Sequence, residues 1–355
     1  MCSERGYRGY QVITRPNESV APTASGLASP VSRREFLRRA ARGAAAAGLA
    51  LSSGTGLLAA PNEPHLDFPT DPRARLAVAS YPFRRFMDSP FNRRRDPQHP
   101  GMDLPAFARM VVERYNVPGI EPMDHHFASR EPKDLEALRE VFQKTGVHVV
   151  NIPVDFRQSF YDPDAAQRKA AIDAAKQWVD AAVLVGSPSI RVHITGVHGV
   201  APDATLATES LKELADYGGE HNIVVTLEND DLVSEDAFFV VRVLDRVNHP
   251  YLRALPDFGN SAMTGDPAFN LDALTLMFRH AYNISHMKDS EEGDGGKIYN
   301  ADVPATFRIA RESGYRGYFS MEMDRSGDPY EGTARLIEQS LDTLKAESAR
   351  PVATT

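Results

Sequence analysis

Four residues that can bind a metal ion and transfer protons recur at regular intervals in the second half of the chain. They stand in the segments TLEND, PDFGN, SHMKD and SMEMD, and they are Glu228, Asp257, His286 and Glu322. Their separations of 29, 29 and 36 residues are each about the length of one strand, one helix and their connections. Because buried carboxylates are costly to desolvate without a counter-charge, this spacing indicates neighbouring strands that deliver one residue each to a shared site.

The elements that would position these residues are short apolar or β-branched runs, which begin at residue 76. Eight runs are predicted as strands: Leu76–Phe83, Gly119–Met123, His148–Val154, Ser189–Ile194, Ile223–Glu228, Leu252–Asp257, Tyr282–Met287 and Gly317–Met323. They are continuous runs rather than alternations of polar and apolar residues, which is typical of strands covered on their outer face.

Helical patterns lie between the strands, and four of them are marked by caps or apolar faces: 103–115, 132–146, 162–186 and 328–347. Asp103 and Pro105 suit a helix start, and Gly146 suits a helix end. Eight strand–helix units in about 270 residues predict an α/β fold with a single (β/α)8 TIM barrel. A doubly wound open sheet is the competing fold, but no Gly-x-Gly-x-x-Gly loop follows the first strand.

In such a barrel the reacting residues lie at the C-terminal ends of the strands, so the four residues would share one rim. Taken singly, an Asp at a strand end is often a helix cap, and a lone His on an apolar strand is often a core residue. Together, three carboxylates and an imidazole would repel one another unless they shared a divalent cation. A site rich in oxygen with one nitrogen suits Mn²⁺, Mg²⁺ or Co²⁺ better than soft metals.

The Glu–Asp–His–Glu series resembles that of the xylose isomerase-like TIM barrels, a superfamily of sugar isomerases and epimerases with dehydratase and lyase relatives. The resemblance covers residues 76–347 and is most specific in the four quoted segments. It implies that Glu228, Asp257, His286 and Glu322 bind one divalent metal ion, with Mn²⁺ favoured and Mg²⁺, Co²⁺ or Zn²⁺ as alternatives. It also implies that Glu228 and Glu322 flank the substrate as catalytic acid/base groups.

The chemistry of such a site is proton transfer next to a carbonyl group. A metal ion that chelates the carbonyl oxygen and a neighbouring hydroxyl would stabilise the enediolate formed when the adjacent C–H loses its proton. Return of the proton to the opposite face is epimerisation, return to the neighbouring carbon is isomerisation, and loss of a β-substituent is elimination. The four residues alone leave these outcomes open.

Two positions depart from the ketose 3-epimerases of this superfamily. Those enzymes have a substrate-contacting histidine three residues after the aspartate and an arginine six residues after the histidine, where this chain has Asn260 and Glu292. Lys288 follows the histidine by two residues, as in dehydratase-like branches. Asn260 and Lys288 are predicted to contact substrate, with a rim salt bridge to Asp289 or Asp324 as the alternative for the lysine. These departures favour other carbonyl-sugar chemistry over epimerisation of a free ketose.

Other candidates for binding substrate at this rim are His125 and His126 after strand two, His193 on strand four and Tyr81 on strand one. The alternative for the histidines is a place in the core. Tyr81 and Phe83 together would form an apolar floor for a sugar ring.

Two buried charges of opposite sign are expected below the rim. Glu121 within strand two is predicted to pair with Arg191 within strand four, and Asn151 and Asp155 frame strand three. A structural role for this pair is at least as well supported as a catalytic one.

The first sixty residues differ in charge from the rest of the chain. The 355-residue chain has a net charge of −8, and residues 1–60 hold 8 Arg and 3 Glu, so the remaining residues carry about −13. An acidic body argues against nucleic acid or an anionic membrane as a partner. The only cysteine, Cys2, lies in this leader, which excludes disulfides, zinc–thiolate sites and a cysteine nucleophile from the remainder.

The segment from Ser32 to Ala60 carries Arg33 and Arg34 ahead of a mildly apolar Ala/Gly/Leu stretch. It resembles a twin-arginine export signal, which implies the twin-arginine translocase as a partner and a periplasmic location. A basic amphipathic helix is the alternative, and a stable membrane span is disfavoured because the apolar part is short. The predicted boundaries are a disordered extension (1–31), the signal (32–60), a linker (61–75), the barrel (76–348) and a flexible tail (349–355).

The leading hypothesis is a metal-dependent isomerase or epimerase that acts through an enediolate on a small unphosphorylated keto- or aldo-sugar. A phosphate is disfavoured because the only glycine-rich candidate, EEGDGGK at 291–297, has acidic neighbours. The alternatives are a lyase or dehydratase on a keto-sugar or keto-glycoside, a metal-dependent hydrolase, and a sugar-binding barrel without catalysis. A homo-oligomer is left open.

Overall fold

The computed structural model describes residues 63–348. The predicted extension, export signal and tail lie outside the described residues. Within the described range, none of the helices combines the length and apolar character that crossing a bilayer requires.

Eight parallel strands form the barrel and follow one another in chain order. Strands one to eight are Leu76–Ala79, Gly119–Glu121, the two pieces His148–Val149 and Ile152–Val154, Ser189–Val192, Val224–Glu228, Leu252–Leu255, Ile284–Met287 and Tyr318–Met321. Strand eight pairs with strand one, with Phe319 opposite Leu76. Strands six and seven are joined by a bridge between Asp257 and His286. The predicted (β/α)8 barrel is confirmed.

Helices follow the strands and pack on them. Within residues 63–348 the α-helices are Leu104–Met110 (continued by a π-helical turn, Val111–Tyr115), Pro132–Thr145, Ala165–Val185, Ala204–His221, Ala237–Val247, Pro267–Phe278, Val303–Glu312 and Pro329–Ser348. Asp103 caps the first helix by accepting a hydrogen bond from the N–H of Ala106, as predicted. Gly146 ends the second helix at a φ of 80°, where a residue without Cβ is favoured.

Strands one, two, four, six and eight end earlier than predicted, and strands two and six end directly before a proline. Strand one stops at Ala79, and Tyr81–Phe83 form a 3₁₀ turn that contains Pro82. Strands two and six stop before Pro122 and Pro256. Proline has no N–H to donate to a strand ladder, which explains the early ends of strands two and six.

A hairpin that the sequence did not predict follows strand seven. Its antiparallel strands are Ser290–Glu292 and Ile298–Asn300. The backbone N–H of Glu292 donates to the carbonyl of Asp324 at 3.3 Å, which ties the hairpin to the loop after strand eight.

Residues 63–68 form an N-terminal strap across the end of the barrel at which the strands begin. The hydroxyl of Tyr282, just before strand seven, donates to the carbonyl of Pro64 at 2.8 Å. The ring of Phe68 packs edge-on against Tyr282 and Tyr318, with centroids 5.4 and 6.1 Å away. The strap therefore covers the opposite end of the barrel from the predicted site.

Candidate metal and active site

The four residues predicted as metal ligands meet at the C-terminal ends of strands five to eight. Nδ1 of His286 lies 2.9 Å from Oε1 of Glu228, 3.4 Å from Oε2 of Glu322 and 3.8 Å from Oδ2 of Asp257. All four side chains are buried, and one ligand atom from each lies within 4.8 Å of the other three. We call these four residues the ligand cluster.

The register of the strands places the ligand cluster on the inner face of the barrel. Glu228 pairs with Leu255, two residues before Asp257. Ser320, two residues before Glu322, pairs with His286. Because alternate residues of a strand share a face, these pairings direct the four side chains to one interior volume.

Glu121 contacts His286 and not Arg191, which corrects the predicted pairing. Its Oε1 lies 3.0 Å from Nε2 of His286 and accepts a hydrogen bond from Nδ2 of Asn151 at 2.8 Å. Burial raises the pKa of Glu121, but the charge of His286 and its hydrogen bond outweigh burial and lower that pKa below its ordinary value. His286 is therefore held between Glu121 on Nε2 and the other three carboxylates on Nδ1.

His286 is itself strongly affected by this surrounding charge. Burial lowers the pKa of His286, but the carboxylates of Glu121, Glu322 and Glu228 outweigh burial and raise it well above its ordinary value. A metal ion would therefore compete with a proton for Nδ1, as at other histidine ligands.

Glu228 is paired through both of its carboxylate oxygens. Oε1 lies 2.9 Å from Nδ1 of His286 and accepts a hydrogen bond from Nδ2 of Asn260 (3.3 Å), and Oε2 lies 3.2 Å from Nε of Arg191. Burial raises the pKa of Glu228, but the charges of His286, Arg191 and Lys288 outweigh it and hold the pKa well below its usual range. Glu228 is therefore a fixed anion.

Asp257 supplies the observation that tests whether this cluster fits a metal ion. Its Oδ1 accepts hydrogen bonds from the backbone N–H groups of Gly259 and Asn260, both at 2.8 Å. Its Oδ2 is buried and accepts no hydrogen bond, and the ammonium of Lys288 lies 3.3 Å from it. Burial, followed by the charges of Glu228 and Glu322, raises the pKa of Asp257 to about 7 against the opposing effect of Lys288. An oxygen that accepts no hydrogen bond can bind a metal ion, and three carboxylates with one imidazole suit a hard divalent ion.

Lys288 places a buried ammonium group at the edge of the ligand cluster. Its Nζ contacts four side-chain oxygens, on Asn260 (3.0 Å), Glu322 (3.1 Å), Glu291 (3.2 Å) and Asp257 (3.3 Å). Burial lowers the pKa of Lys288, but the charges of Asp257, Glu291 and Glu322 raise it well above its ordinary value. Lys288 is therefore a permanent cation beside Glu322.

Asn260 uses both ends of its amide within the protein. Its Oδ1 accepts from Lys288, and its Nδ2 donates to Glu228 and, at 3.5 Å, to Oδ1 of Asp230. Asn260 thus links the lysine to the first carboxylate of the ligand cluster.

His193 borders the ligand cluster through Arg191, which its ring contacts. Its Nδ1 lies 2.9 Å from Oε2 of Glu235, and its Nε2 lies 3.2 Å from Oδ1 of Asp155. Burial and Arg191 lower the pKa of His193, but Glu235 and Asp155 outweigh them and raise it well above its ordinary value. The sequence did not predict Glu235, since its contact with strand four spans 42 residues and leaves no local pattern.

His125 and His126 are not brought into the ligand cluster. Nδ1 of His126 lies 2.7 Å from Oγ of Ser80, and burial lowers the pKa of this histidine well below its usual range. Nδ1 of His125 lies 3.0 Å from Oδ1 of Asp124. These contacts lie within the loop after strand two and with strand one.

Tyr81 lies at the same rim, but Phe83 does not, which corrects the predicted aromatic floor. The Tyr81 hydroxyl donates to Oδ2 of Asp324 at 3.3 Å, and the guanidinium of Arg84 lies 4.2 Å from its ring centroid. Burial, with the charge of Asp324, raises the pKa of Tyr81 to about 12. Phe83 is fully buried against Phe107, because the turn at Pro82 redirects it into the core.

Comparisons with known proteins support the fold. A search of curated protein sequences finds no match. A xylose isomerase domain protein from Planctomyces limnophilus is 21% identical, with a TM-score of 0.55 over 68% of this chain and 93% of that one. The 3-keto-D-glucoside 4-epimerase of E. coli is 17% identical, with a TM-score of 0.55 over 77% of this chain and 99% of that one.

A xylose isomerase-like TIM barrel protein from Mycobacterium smegmatis, solved in complex with magnesium, is 18% identical. Its TM-score is 0.58 over 78% of this chain and all of that one. The sequence profile of the same family matches residues 111–347, which is more than half of the chain. The protein therefore belongs to the xylose isomerase-like TIM barrel family.

Proposed function

We propose that this protein is a divalent-metal-dependent enzyme that moves a proton at the carbon next to the carbonyl group of a small sugar, as an isomerase or epimerase. The observation that carries this proposal is the convergence of Glu228, Asp257, His286 and Glu322 within 4.8 Å, with the ammonium of Lys288 alongside.

The ligand cluster would hold one divalent ion through its three carboxylates and Nδ1 of His286. Mn²⁺ is our first choice, with Mg²⁺, Co²⁺ or Zn²⁺ as alternatives, and magnesium is present in the Mycobacterium smegmatis relative. When bound, the ion supplies positive charge that stabilises negative charge developing on substrate oxygens.

Glu322 is the residue that we assign to proton transfer. Its ion pairs with other described residues, Lys288 at 3.1 Å and His286 at 3.4 Å, both run through Oε2. Oε1 is therefore left to take a proton from the substrate carbon. Glu228 is assigned as the second acid/base group, although Arg191 holds it as an anion and makes it the poorer proton donor.

Lys288 is assigned to bind a substrate oxygen. A fixed cation next to the proton-transfer residue stabilises an oxyanion without having to reorganise during the reaction. The same placement favours one second candidate, a lyase, because an ammonium beside Glu322 would also stabilise the negative charge that develops on a leaving group of a keto-sugar or keto-glycoside.

The charges around the site support an unphosphorylated substrate. Lys288 and Arg191 are both paired with carboxylates, so neither brings an uncompensated positive charge to a phosphate. A keto-sugar agrees with the described activity of the E. coli relative, a 3-keto-D-glucoside 4-epimerase.

Solvent deuterium uptake tests the proposal. The Mn²⁺-loaded protein is incubated in D₂O with keto-sugars, aldo-sugars and keto-glycosides, and each product is analysed by NMR. We expect deuterium at the carbon next to the carbonyl group, and the product then separates epimerisation, isomerisation and elimination. Metal binding without deuterium uptake from any substrate of the panel would contradict the proposal and favour activation of water by the ion.

We also propose that the protein is exported in folded form by the twin-arginine translocase. The paired Arg33 and Arg34 ahead of a mildly apolar segment support this.

A further inference from the structure

The imidazole of His286 is in contact with charged groups on both of its nitrogens. Nδ1 faces Glu228 at 2.9 Å, on the side of the ligand cluster, and Nε2 faces Oε1 of Glu121 at 3.0 Å. Glu121 ends strand two, which strands one and eight separate from strand seven. The carboxylate of Glu121 therefore contacts the histidine from the side away from the other ligands.

Glu121 is in turn held by a chain of hydrogen bonds that crosses the barrel interior. Nδ2 of Asn283 donates to Oγ of Ser189 (2.7 Å), Oγ of Ser189 donates to Oδ1 of Asn151 (2.6 Å), and Nδ2 of Asn151 donates to Oε1 of Glu121 (2.8 Å). All five side chains, including that of His286, are fully buried at 0% exposure. The position of the Glu121 oxygen is thus set by residues outside the ligand cluster.

The direction of the last hydrogen bond in this chain is fixed by chemistry. An ionised carboxylate only accepts hydrogen bonds, so Nε2 of His286 must be the donor to Glu121. A neutral imidazole carries one ring proton, and with that proton on Nε2 the lone pair lies on Nδ1. Nδ1 is the nitrogen that faces Glu228, Asp257 and Glu322.

We propose that Glu121 is a positioning residue that selects the tautomer and orientation of His286, so that Nδ1 is presented to the divalent ion. The inference rests on the proposed metal-dependent function and assigns a role to a residue outside the ligand cluster. Partners of this kind behind metal-binding histidines typically contribute about 10–100-fold to metal affinity.

Metal affinity of the folded protein tests this role directly. Mn²⁺ is titrated calorimetrically into metal-stripped wild type, Glu121→Gln and Glu121→Ala, and circular dichroism checks the fold of each. We expect Kd to rise about 10–100-fold in Glu121→Ala and less in Glu121→Gln, whose amide oxygen can still accept from Nε2. Asn151→Ala is the comparison variant, because it removes the hydrogen bond that positions the same carboxylate but keeps the acceptor for His286. Its Kd should rise less than that of Glu121→Ala.

A second measurement uses only the wild type and so does not depend on the folding of a variant. Nitrogen-15 NMR of the histidine rings in the Mg²⁺-loaded protein should show His286 protonated on Nε2 and not on Nδ1. The opposite tautomer would overturn the inference, as would folded Glu121→Ala with unchanged affinity. If the wild type bound no Mn²⁺, both the proposed function and this inference would be overturned. If the Glu121 variants bound Mn²⁺ as tightly as the wild type, only the inference would be overturned.

Discussion

Glu322→Gln separates proton transfer from metal binding. The substitution keeps the shape of the side chain and an oxygen that can bind a cation, but an amide cannot take up the substrate proton. In the structure Oε2 of Glu322 contacts Lys288 and His286, and we assign Oε1 to the substrate. A positioned acid/base group typically contributes about 10²–10⁴-fold to the rate, or about 2.7–5.5 kcal/mol of transition-state stabilisation. We expect kcat/KM to fall by this factor while the ion stays bound.

The assay for this prediction is the rate of deuterium uptake at the carbon next to the carbonyl group, measured with a substrate from the panel and with metal content determined on the same samples. Glu291→Gln is the matched control, because Glu291 is a buried carboxylate that contacts the same ammonium of Lys288 at 3.2 Å but lies outside the ligand cluster. The rate of deuterium uptake should fall less in Glu291→Gln than in Glu322→Gln. If Glu322→Gln kept the full rate of deuterium uptake, Glu322 would not be the proton-transfer residue.

Three further predictions concern other parts of the chain. Lys288→Met should lower kcat/KM by about 10²–10³-fold, as is typical for the loss of one preorganised donor, while the metal content stays unchanged. Loss of the metal ion in this variant would show that Lys288 supports metal binding instead. Replacing Arg33 and Arg34 by Lys should leave the protein in the cytoplasm, as fractionation would show, and unchanged delivery would refute the export signal. Phe68→Ala should lower the free energy of unfolding in urea by about 1–2 kcal/mol, because its partly buried ring packs on Tyr282; an unchanged value would mean that the strap contributes no stability.

The ligand cluster could be predicted from the sequence because it depends on a local regularity. Each of Glu228, Asp257, His286 and Glu322 closes or follows a short apolar run, and the C-terminal ends of parallel barrel strands must meet at one rim. No detail of side-chain packing is needed for that argument. The structure brings the same four residues together.

The partners of these residues could not be predicted in the same way. The contact between Glu121 and His286 joins strands two and seven across 165 residues, and it depends on the stagger of the strands around the barrel. Burial and opposite charge alone suggested Arg191 as the ion-pair partner of Glu121, but Arg191 pairs with Glu228. Phe83 was misplaced for a local reason, since the 3₁₀ turn Tyr81–Phe83, which contains Pro82, directs the Phe83 ring into the core.

Metal content per chain tests the central claim most directly. Wild type purified with Mn²⁺ and dialysed against metal-free buffer should retain one divalent ion per chain. The Glu228→Ala/His286→Ala double variant loses one carboxylate and the imidazole, so it should retain almost none while the circular dichroism spectrum of the barrel is preserved. One ion per folded chain of that double variant would show that the metal binds elsewhere and would contradict the account.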